Sequence, residues 1–391
     1  MTTHYRTPLR PTHFHPRTAP LCVLYRWGPW AGYAAPLCYG DSAMEYTALR
    51  NAAGVYDLCP MTKYRITGPD AQDYLNRLTV RDVGKLTPGG VHYTVWCDDA
   101  GKLLDDGTLF RLSPTDFRLC CQERHLPWLL DSAFGFDVNI REETDEIAAL
   151  SLQGPCSASV LRAAGFDIGT LKPFRCQTFA WGKGLMISRT GFTGDLGYEL
   201  WADPADALAL WDLLMEKGAP WGVCPIGSDA LNIARIEAGF IITGLDFTPV
   251  QHAVRANRAR SPLELGLDWM IAWDKGPFTG RAALARDREQ GSEWALVGLD
   301  IPGNIPAEGA ILYHRQKTEV GTITAAAWSP TLKANIAIAQ VKARFVQGND
   351  LWVEIYALRE LHYEKLMLKA SVVSRPFFAP DRRRATPPGV F

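Results

Sequence analysis

The stretch RTGFTGDLGYELW, residues 189–201, places three glycines (Gly191, Gly194 and Gly197) just ahead of Tyr198 and Glu199. A strand ends near Arg189, the chain turns tightly, and GYELWA resumes as a strand. Glycine tolerates φ > 0 and, having no side chain, lets a flat ligand come close to the main chain. Neighbouring strand side chains point to opposite faces, so Tyr198 and Trp201 are expected off the face of Glu199. Taken alone, the stretch reads more simply as a glycine-rich hairpin with a solvated carboxylate.

Outward from it, helices and strands alternate irregularly, which is the pattern of an α+β protein. GDSAMEYTALRNA and GPDAQDYLNRLTV carry apolar residues at helical spacing, the second with Asp70 as its cap. VHYTVWCDDAGKLLDDGTLFRLSPTDFRLCCQ reads as three strands turning at DDAG and SPTD. IAALSLQGP is a buried strand, and CSASVLRAAGF a short helix ending at Gly165. ADALALWDLLMEKG is an amphipathic helix closed by Gly218, and SDALNIARIEAG is a further helix. From about Ala295 six short strands follow, so residues 291–375 form a β-rich unit of their own. Residues 1–20 read as an extended arm rich in Pro and His, and 376–391 as a polar tail with solvated arginines.

Composition narrows the function. The chain has 391 residues, 47% hydrophobic and 21% charged, with a formal net charge of −1. No global field points to nucleic acid or an anionic membrane, and neither is an expected partner. No apolar run approaches the ~18–20 residues that span a bilayer, and the N-terminus lacks a signal-peptide core. The nine cysteines are scattered without a C-x-x-C, which favours reduced thiols in a cytoplasm and no metal site. Walker, H-E-x-x-H, G-x-G-x-x-G and G-x-S-x-G motifs are absent.

Several motifs, in one order, carry a resemblance. RTGFTGDLGYELW is similar to T-G-Y-T-G-E-x-G-Y-E, the signature of the glycine-cleavage T-protein superfamily. DSAMEYTALRNAAGVYDLCPM resembles that family's early helix and F-D-V-S-H-M segment, and GKLLDDGTLF its G-G-x-x-D-D-L-I-V. LSLQGP is similar to A-x-Q-G-P and ARIEAGF to L-R-L-E-A-G; LELGLDWMIAW and FTGRAAL follow in order. VGTITAAAWSPTLKANIAIAQV resembles the closing V-G-x-I-T-S-G-x-x-S-P-T-L. The resemblance runs from about residue 20 to 370.

The resemblance implies a three-domain cloverleaf around a central tetrahydrofolate site. Residues 21–290 would make two intertwined α+β domains, followed by a barrel-like C-terminal domain. Members move a one-carbon unit from a small substrate to the cofactor. Glu199 takes the position of the pterin-holding carboxylate, and a carboxylate suits the two N–H groups on the pterin edge. Asp106 takes the catalytic position near folate N5 and N10, where it can accept a proton or steady an iminium. Asp105 is expected on the other face of its strand, in a turn or surface hydrogen bond. Phe192 replaces the usual tyrosine and would wall the pterin without its hydroxyl. Tyr198, Met61 and Arg235 complete the expected cofactor set. Arg235 and Glu237 share a helix, where they either pair to steady the site or make separate ion pairs.

Two positions depart from the family pattern. Leu231 stands where the family has arginine, and Pro60 where S-H-M has histidine. An isobutyl group replaces no polar role of a guanidinium. His92 and His125 are nearby in sequence, but nothing assigns either to the gap. Trp30 and Tyr33, in the aromatic-rich N-terminal segment, and Tyr93 are candidates to wall a methylated substrate. The departures favour a demethylase that passes a methyl group from a small methylated compound to tetrahydrofolate. The alternative is aminomethyl transfer from a lipoyl carrier protein, giving 5,10-methylenetetrahydrofolate as in glycine cleavage. A third reading, a non-catalytic folate-binding accessory protein, is opposed by the Asp105–Asp106 pair and the absence of K-G-C-Y-x-G-Q-E.

Overall fold

Asp41 starts the first long helix by accepting the Ala43 N–H at 2.8 Å on its Oδ1, which satisfies a donor the helix cannot. The structure is a computed structural model and describes residues 8–348 and 350–389. The chain begins with a helical turn, α1 (His15–Thr18), and a hairpin of β1 (Arg26–Trp30) and β2 (Tyr33–Cys38). Helix α2 (Ser42–Asn51) leads into β3 (Ala53–Asp57), β4 (Thr62–Thr67) and α3 (Ala71–Leu78). A meander follows, β5 (Gly90–Cys97), β6 (Leu103–Ser113) and β7 (Asp116–Cys121), and then α4 (Leu126–Ser132) and β8 (Asn139–Glu142). Next come β9 (Ala148–Gln153), α5 (Ser157–Ala163), β10 (Cys176–Phe179), β11 (Leu185–Ser188) and β12 (Gly197–Ala202). Helix α6 (Ala207–Gly218), β13 (Val223–Pro225), α7 (Ser228–Glu237) and α8 (Arg281–Gln290) complete this region. The last strands are β14 (Trp294–Ile301), β15 (Ile311–His314), β16 (Thr318–Ser329), β17 (Ala334–Lys342), β18 (Leu351–Arg359) and β19 (His362–Val373).

Three sheets organise these elements. One has six strands in the order β10-β11-β12-β9-β3-β13, another five in the order β5-β6-β7-β4-β8, and the last six strands close a barrel. All six residues of β9 are buried because both faces of its sheet are covered. Leu150 and Leu152 face the core under α5 and α6, and Ala149 faces the core shared with the second sheet. Phe110 of β6 meets Trp201 of β12 edge to face at 5.2 Å, which joins the two sheets.

A buried ionic lock ties the barrel to both. Arg50 of α2 donates to Glu237 of α7 at 2.5 Å, and Ser329 of the barrel donates to the same carboxylate. Each charge here is paired and hydrogen-bonded, the condition under which burial is tolerated. The α+β architecture with a closed C-terminal barrel agrees with the reading of the sequence.

Several local expectations are corrected. Asp70 makes no cap bond to α3; its carboxylate accepts from the Asp137 N–H at 2.9 Å instead. Gly218 stays helical, and the left-handed turn falls at Gly222, with φ 65°. The arm is not simply extended: Phe14 is fully buried in the core, and Thr12 donates to Asp57 at 2.5 Å. Residues 1–7 of the arm lie outside the described residues. The tail is not solvated either. Arg382 holds Asp195 through bonds of 2.6 and 2.7 Å, and Arg189 donates to the Ala385 carbonyl at 2.7 Å. Burial of Asp195 inside the glycine stretch creates the demand for those cations. Residues 390–391 of the tail lie outside the described residues.

Candidate functional site

The glycines of 189–201 serve protein packing. A Cβ at Gly191 or at Gly197 would stand 2.0 Å from Gln153 Oε1, and one at Gly194, with φ 69°, 2.6 Å from the Ala238 Cβ. The space once assigned to a flat ligand is filled by Gln153, whose amide donates to the Thr190 and Tyr198 carbonyls at 3.2 Å each.

Strand β12 then divides its side chains. Glu199 pairs across with Ser151 and Ser188, and Tyr198 with Leu152. Tyr198 is wholly buried on the α5–α6 face, in the same core as Leu152. That placement removes it from the cofactor set, because strand alternation turns it away from Glu199. Trp201, two residues beyond Glu199, shares the face of Glu199, contrary to the expectation. Its indole donates to Ser188 Oγ at 3.0 Å, and Ser188 and Thr190 hydroxyls are 2.7 Å apart. Thr190 in turn donates to Glu199 Oε2 at 2.5 Å.

Glu199 is 9% exposed, and no ion pair reaches it among the described residues. Burial pushes its carboxyl up to about 7, against weaker opposing effects from the Thr190 and Ser188 hydroxyls and the Lys63 charge. Phe192 is half-buried and stacks on Phe240 at 5.6 Å between ring centres. Met61, Trp30 and Leu231 are partly buried and pack against one core cluster. Pro60 lies buried in the turn before Met61, and Lys63, itself fully buried, donates to the Cys59 and Met61 carbonyls at 3.0 and 2.7 Å. Leu231 adds an apolar side chain to that cluster.

The second acidic centre lies on β6. A bulge between β5 and β6 sets Trp96 opposite Asp105 and Cys97 opposite Leu103. Asp105 turns to the α3–α4 side and is fully buried, so the expected turn or surface hydrogen bond is corrected. Its Oδ1 accepts from the Asp106 N–H at 2.9 Å and from Thr243 Oγ1 at 2.5 Å. Its Oδ2 accepts from the Glu123 N–H at 3.1 Å and meets His125 Nε2 at 2.9 Å. Asp106 is half-buried on the opposite side. Its Oδ1 is 2.7 Å from the same Thr243 hydroxyl, and its Oδ2 accepts from Tyr93 Oη at 2.9 Å. Burial first and the Asp105 charge second push the Asp106 carboxyl well above the carboxylate range. The carboxylates in turn hold the buried Tyr93 phenol high.

Two further expectations are corrected here. Arg235 is 1% exposed, and its donors go to Asn232, to the Phe240 carbonyl and to Asp246. It therefore braces the loop after α7. Glu237 binds Arg50, so the two helix neighbours make separate ion pairs. Tyr33 lies at the seam with the arm, bonded to Asp145 and covered by Arg10 at 4.3 Å, away from both acidic centres. Trp30 stays beside Met61 and donates to Gln122 at 3.0 Å. Sequence reasoning missed Thr243 and left His125 unassigned; neither carries a motif, since a loop residue and the residue that caps α4 meet only through the fold. Asp105, Cys121 and His125 also place three metal-ligating atoms within 4.8 Å of one another. The open depressions lined by residues 130–140 and 170–177 contain none of these groups.

The fold is that of a transferase enzyme. The GCVT N-terminal domain model matches residues 25–275, and the glycine cleavage T-protein C-terminal barrel domain matches 295–379. The aminomethyltransferase of Bacillus pumilus (strain SAFR-032) is 32% identical over 358 residues, covering 89% of this chain and 93% of that protein. That of Geobacillus kaustophilus (strain HTA426) is 33% identical over 359 residues, covering 89% and 93%. The crystal structure of glycine cleavage system aminomethyltransferase T from Bartonella henselae superposes with a TM-score of 0.83 at 25% identity, covering 95% of this chain and 98% of that one. The chain belongs to the glycine cleavage T-protein family.

Proposed function

We propose that this protein transfers an aminomethyl-derived carbon to tetrahydrofolate, giving 5,10-methylenetetrahydrofolate. The observation that carries the reading is Glu199, a buried carboxylate with hydroxyl partners and no ion pair among the described residues. Such a group fits a ligand edge with two adjacent N–H donors, because they would supply the stabilisation that burial removes. Phe192 and Phe240 offer a flat apolar neighbour of the kind a pterin ring stacks on. The bound folate would supply a nucleophilic nitrogen, N5, to receive carbon.

The chain's own residues would do the rest. Glu199 would fix the ring, so that N5 is held at attack distance from the donor carbon. Asp106, held by Tyr93 and Thr243, would exchange a proton with the reacting nitrogen or the leaving group. The relatives are named aminomethyltransferases, which supports this reading over the demethylase expected from the sequence. The donor would then arrive on a lipoyl carrier protein.

One observation keeps methyl transfer as a second reading. Leu231, which stands where the family has arginine, packs with Met61 and Trp30 against one apolar cluster, and an apolar lining suits a methylated donor. Incubation with tetrahydrofolate and either aminomethyl-lipoyl carrier or small methylated amines and ethers separates the two. 5,10-Methylenetetrahydrofolate supports the first reading and 5-methyltetrahydrofolate the second. The absence of any folate product with every donor sinks both.

A further inference from the structure

We propose that Asp105, Thr243 and His125 form a positioning relay that holds one shared proton at Asp106. The argument starts from the Thr243 hydroxyl. Its oxygen lies 2.5 Å from Asp105 Oδ1 and 2.7 Å from Asp106 Oδ1. A hydroxyl has one hydrogen, so it donates to one of these oxygens and must accept from the other. Accepting from a carboxyl oxygen requires that oxygen to carry a proton. The three groups therefore hold one proton more than two bare carboxylates would.

The hydrogen bonds say where it sits. Asp105 receives the Asp106 N–H, the Glu123 N–H and the His125 ring, three donors besides Thr243. Asp106 receives only Tyr93 besides Thr243. Charge belongs on the member of a like-charge pair that receives more donors, so Asp105 is the carboxylate and Asp106 the acid. The chain then reads Asp106 O–H to Thr243 O–H to Asp105, with His125 Nε2 donating from the far side. Among the described residues no cation makes an ion pair with Asp106, so nothing else would hold it ionised.

Gln251 Nε2 lies 3.4 Å from His125 Nδ1, and an amide NH2 only donates, so Nδ1 accepts and the ring hydrogen stays on Nε2, aimed at Asp105. The ionisable groups facing the centre are Tyr93 from β5, Asp105 from β6, Cys121 from β7, and His125 and Glu123 from the segment after it; Arg375, from the C-terminal segment, acts on Tyr93. The inference rests on the proposed transfer only in making Asp106 the working group; the shared proton belongs to the free protein.

Infrared titration of carboxyl groups in the free protein tests this without turnover. Asp105→Asn removes the like charge and should lower the midpoint of the Asp106 carboxyl by a pH unit or more. Thr243→Val removes the acceptor of the Asp106 proton and should lower it as well, while Thr243→Ser should restore the wild-type midpoint. In turnover, His125→Ala should lower kcat ten-fold or more with KM within two-fold, and His125→Gln, whose amide can donate to Asp105, should recover most of it. Circular dichroism on each variant establishes folding, and the Thr243→Ser and His125→Gln forms carry the test if the larger changes unfold. Unchanged midpoints in Asp105→Asn and Thr243→Val overturn the relay. So does loss of activity on chelation with recovery on added zinc, which would assign Asp105, Cys121 and His125 to a metal.

Discussion

Arg235 Nη1 stands 2.5 Å from Asp246 Oδ2, both side chains being at most 1% exposed, directly beneath the loop that carries Thr243 to the acidic pair. Asp246 also accepts the Ile242 N–H at 2.8 Å and the barrel's Thr324 hydroxyl at 2.5 Å. The ion pair thus fixes helix, loop and barrel at once. Breaking one partner of a buried pair strands the other charge, at about 3–5 kcal/mol. Arg235→Ala is expected to lose stability on that scale in urea unfolding and to lower kcat, because Thr243 loses its support. Arg235→Lys should recover only part, since an ammonium cannot serve Asn232, Phe240 and Asp246 from one plane. A folate Kd that rises with kcat intact would instead make Arg235 a ligand contact.

The glycines make a prediction opposite to the one their motif invites. If Gly197 made room for a ligand, a methyl group there would weaken binding and leave folding alone. The geometry places that methyl on Gln153, which cannot swing aside while it bonds Thr190, Tyr198 and Thr193. Gly197→Ala is therefore expected to cost about 1–3 kcal/mol of stability, the usual penalty of overpacking. In Gln153→Ala the same substitution should cost less, and the coupling energy from a double-mutant cycle measures the contact. Strict additivity of the two changes would refute it.

These residues show what the sequence could and could not display. The meander and the six barrel strands were legible because alternation and turn residues are local signals. Asp106 and Glu199 were legible only through resemblance, and their surroundings were not. Alternation was misapplied to Trp201, which lies two residues from Glu199 and so on its face. The arm and tail looked polar because their anchors are single residues, Phe14 and Arg382, whose partners are over 180 residues away in sequence at Trp211 and Asp195. Thr243 could not be read at all: a threonine in a loop carries no pattern, and its role exists only because Arg235 and the barrel bring it to β6.

Glu199 gives a pH dependence whose sign is fixed by its burial. Its carboxyl sits near 7 in the folded protein against 4.5 ordinarily, so the folded state binds the proton more tightly. The folded state therefore loses stability as pH rises through that window, and the whole cost applies above about 7. Glu199→Gln should be more stable than the wild type at pH 8, by about 3 kcal/mol, and equal to it below pH 4.5. Folate donors would draw the carboxyl back down, so binding near pH 7 should release a proton. Calorimetry in two buffers of different ionisation enthalpy reads that release. Glu199→Gln should abolish it and weaken binding about 10- to 100-fold, the worth of a charge-assisted hydrogen bond. Proton uptake on binding would contradict the assignment.

The C-terminal segment should behave as part of the core. Asp195 is fully enclosed at its side chain between Arg382, at 2.6 and 2.7 Å, and Arg50, at 3.4 Å. The Phe377 and Phe378 N–H groups both donate to the Glu237 carbonyl, at 2.9 and 2.8 Å, and the Phe378 ring lies 4.7 Å from the Arg50 guanidinium. Removing residues 376–391 would uncover the Arg50–Glu237 lock to water and leave Asp195 with one distant cation, Arg50, at 3.4 Å. Arg382→Ala alone is expected to cost about 1–3 kcal/mol, the penalty for removing a charged hydrogen-bond partner. Truncation after Arg375 should cost more and broaden the thermal transition, because the barrel loses a strap to both sheets. Asp195→Asn in the Arg382→Ala background should return part of the loss by removing the stranded charge. If the truncated chain unfolds at the wild-type temperature, the segment is the solvated tail that its composition suggests.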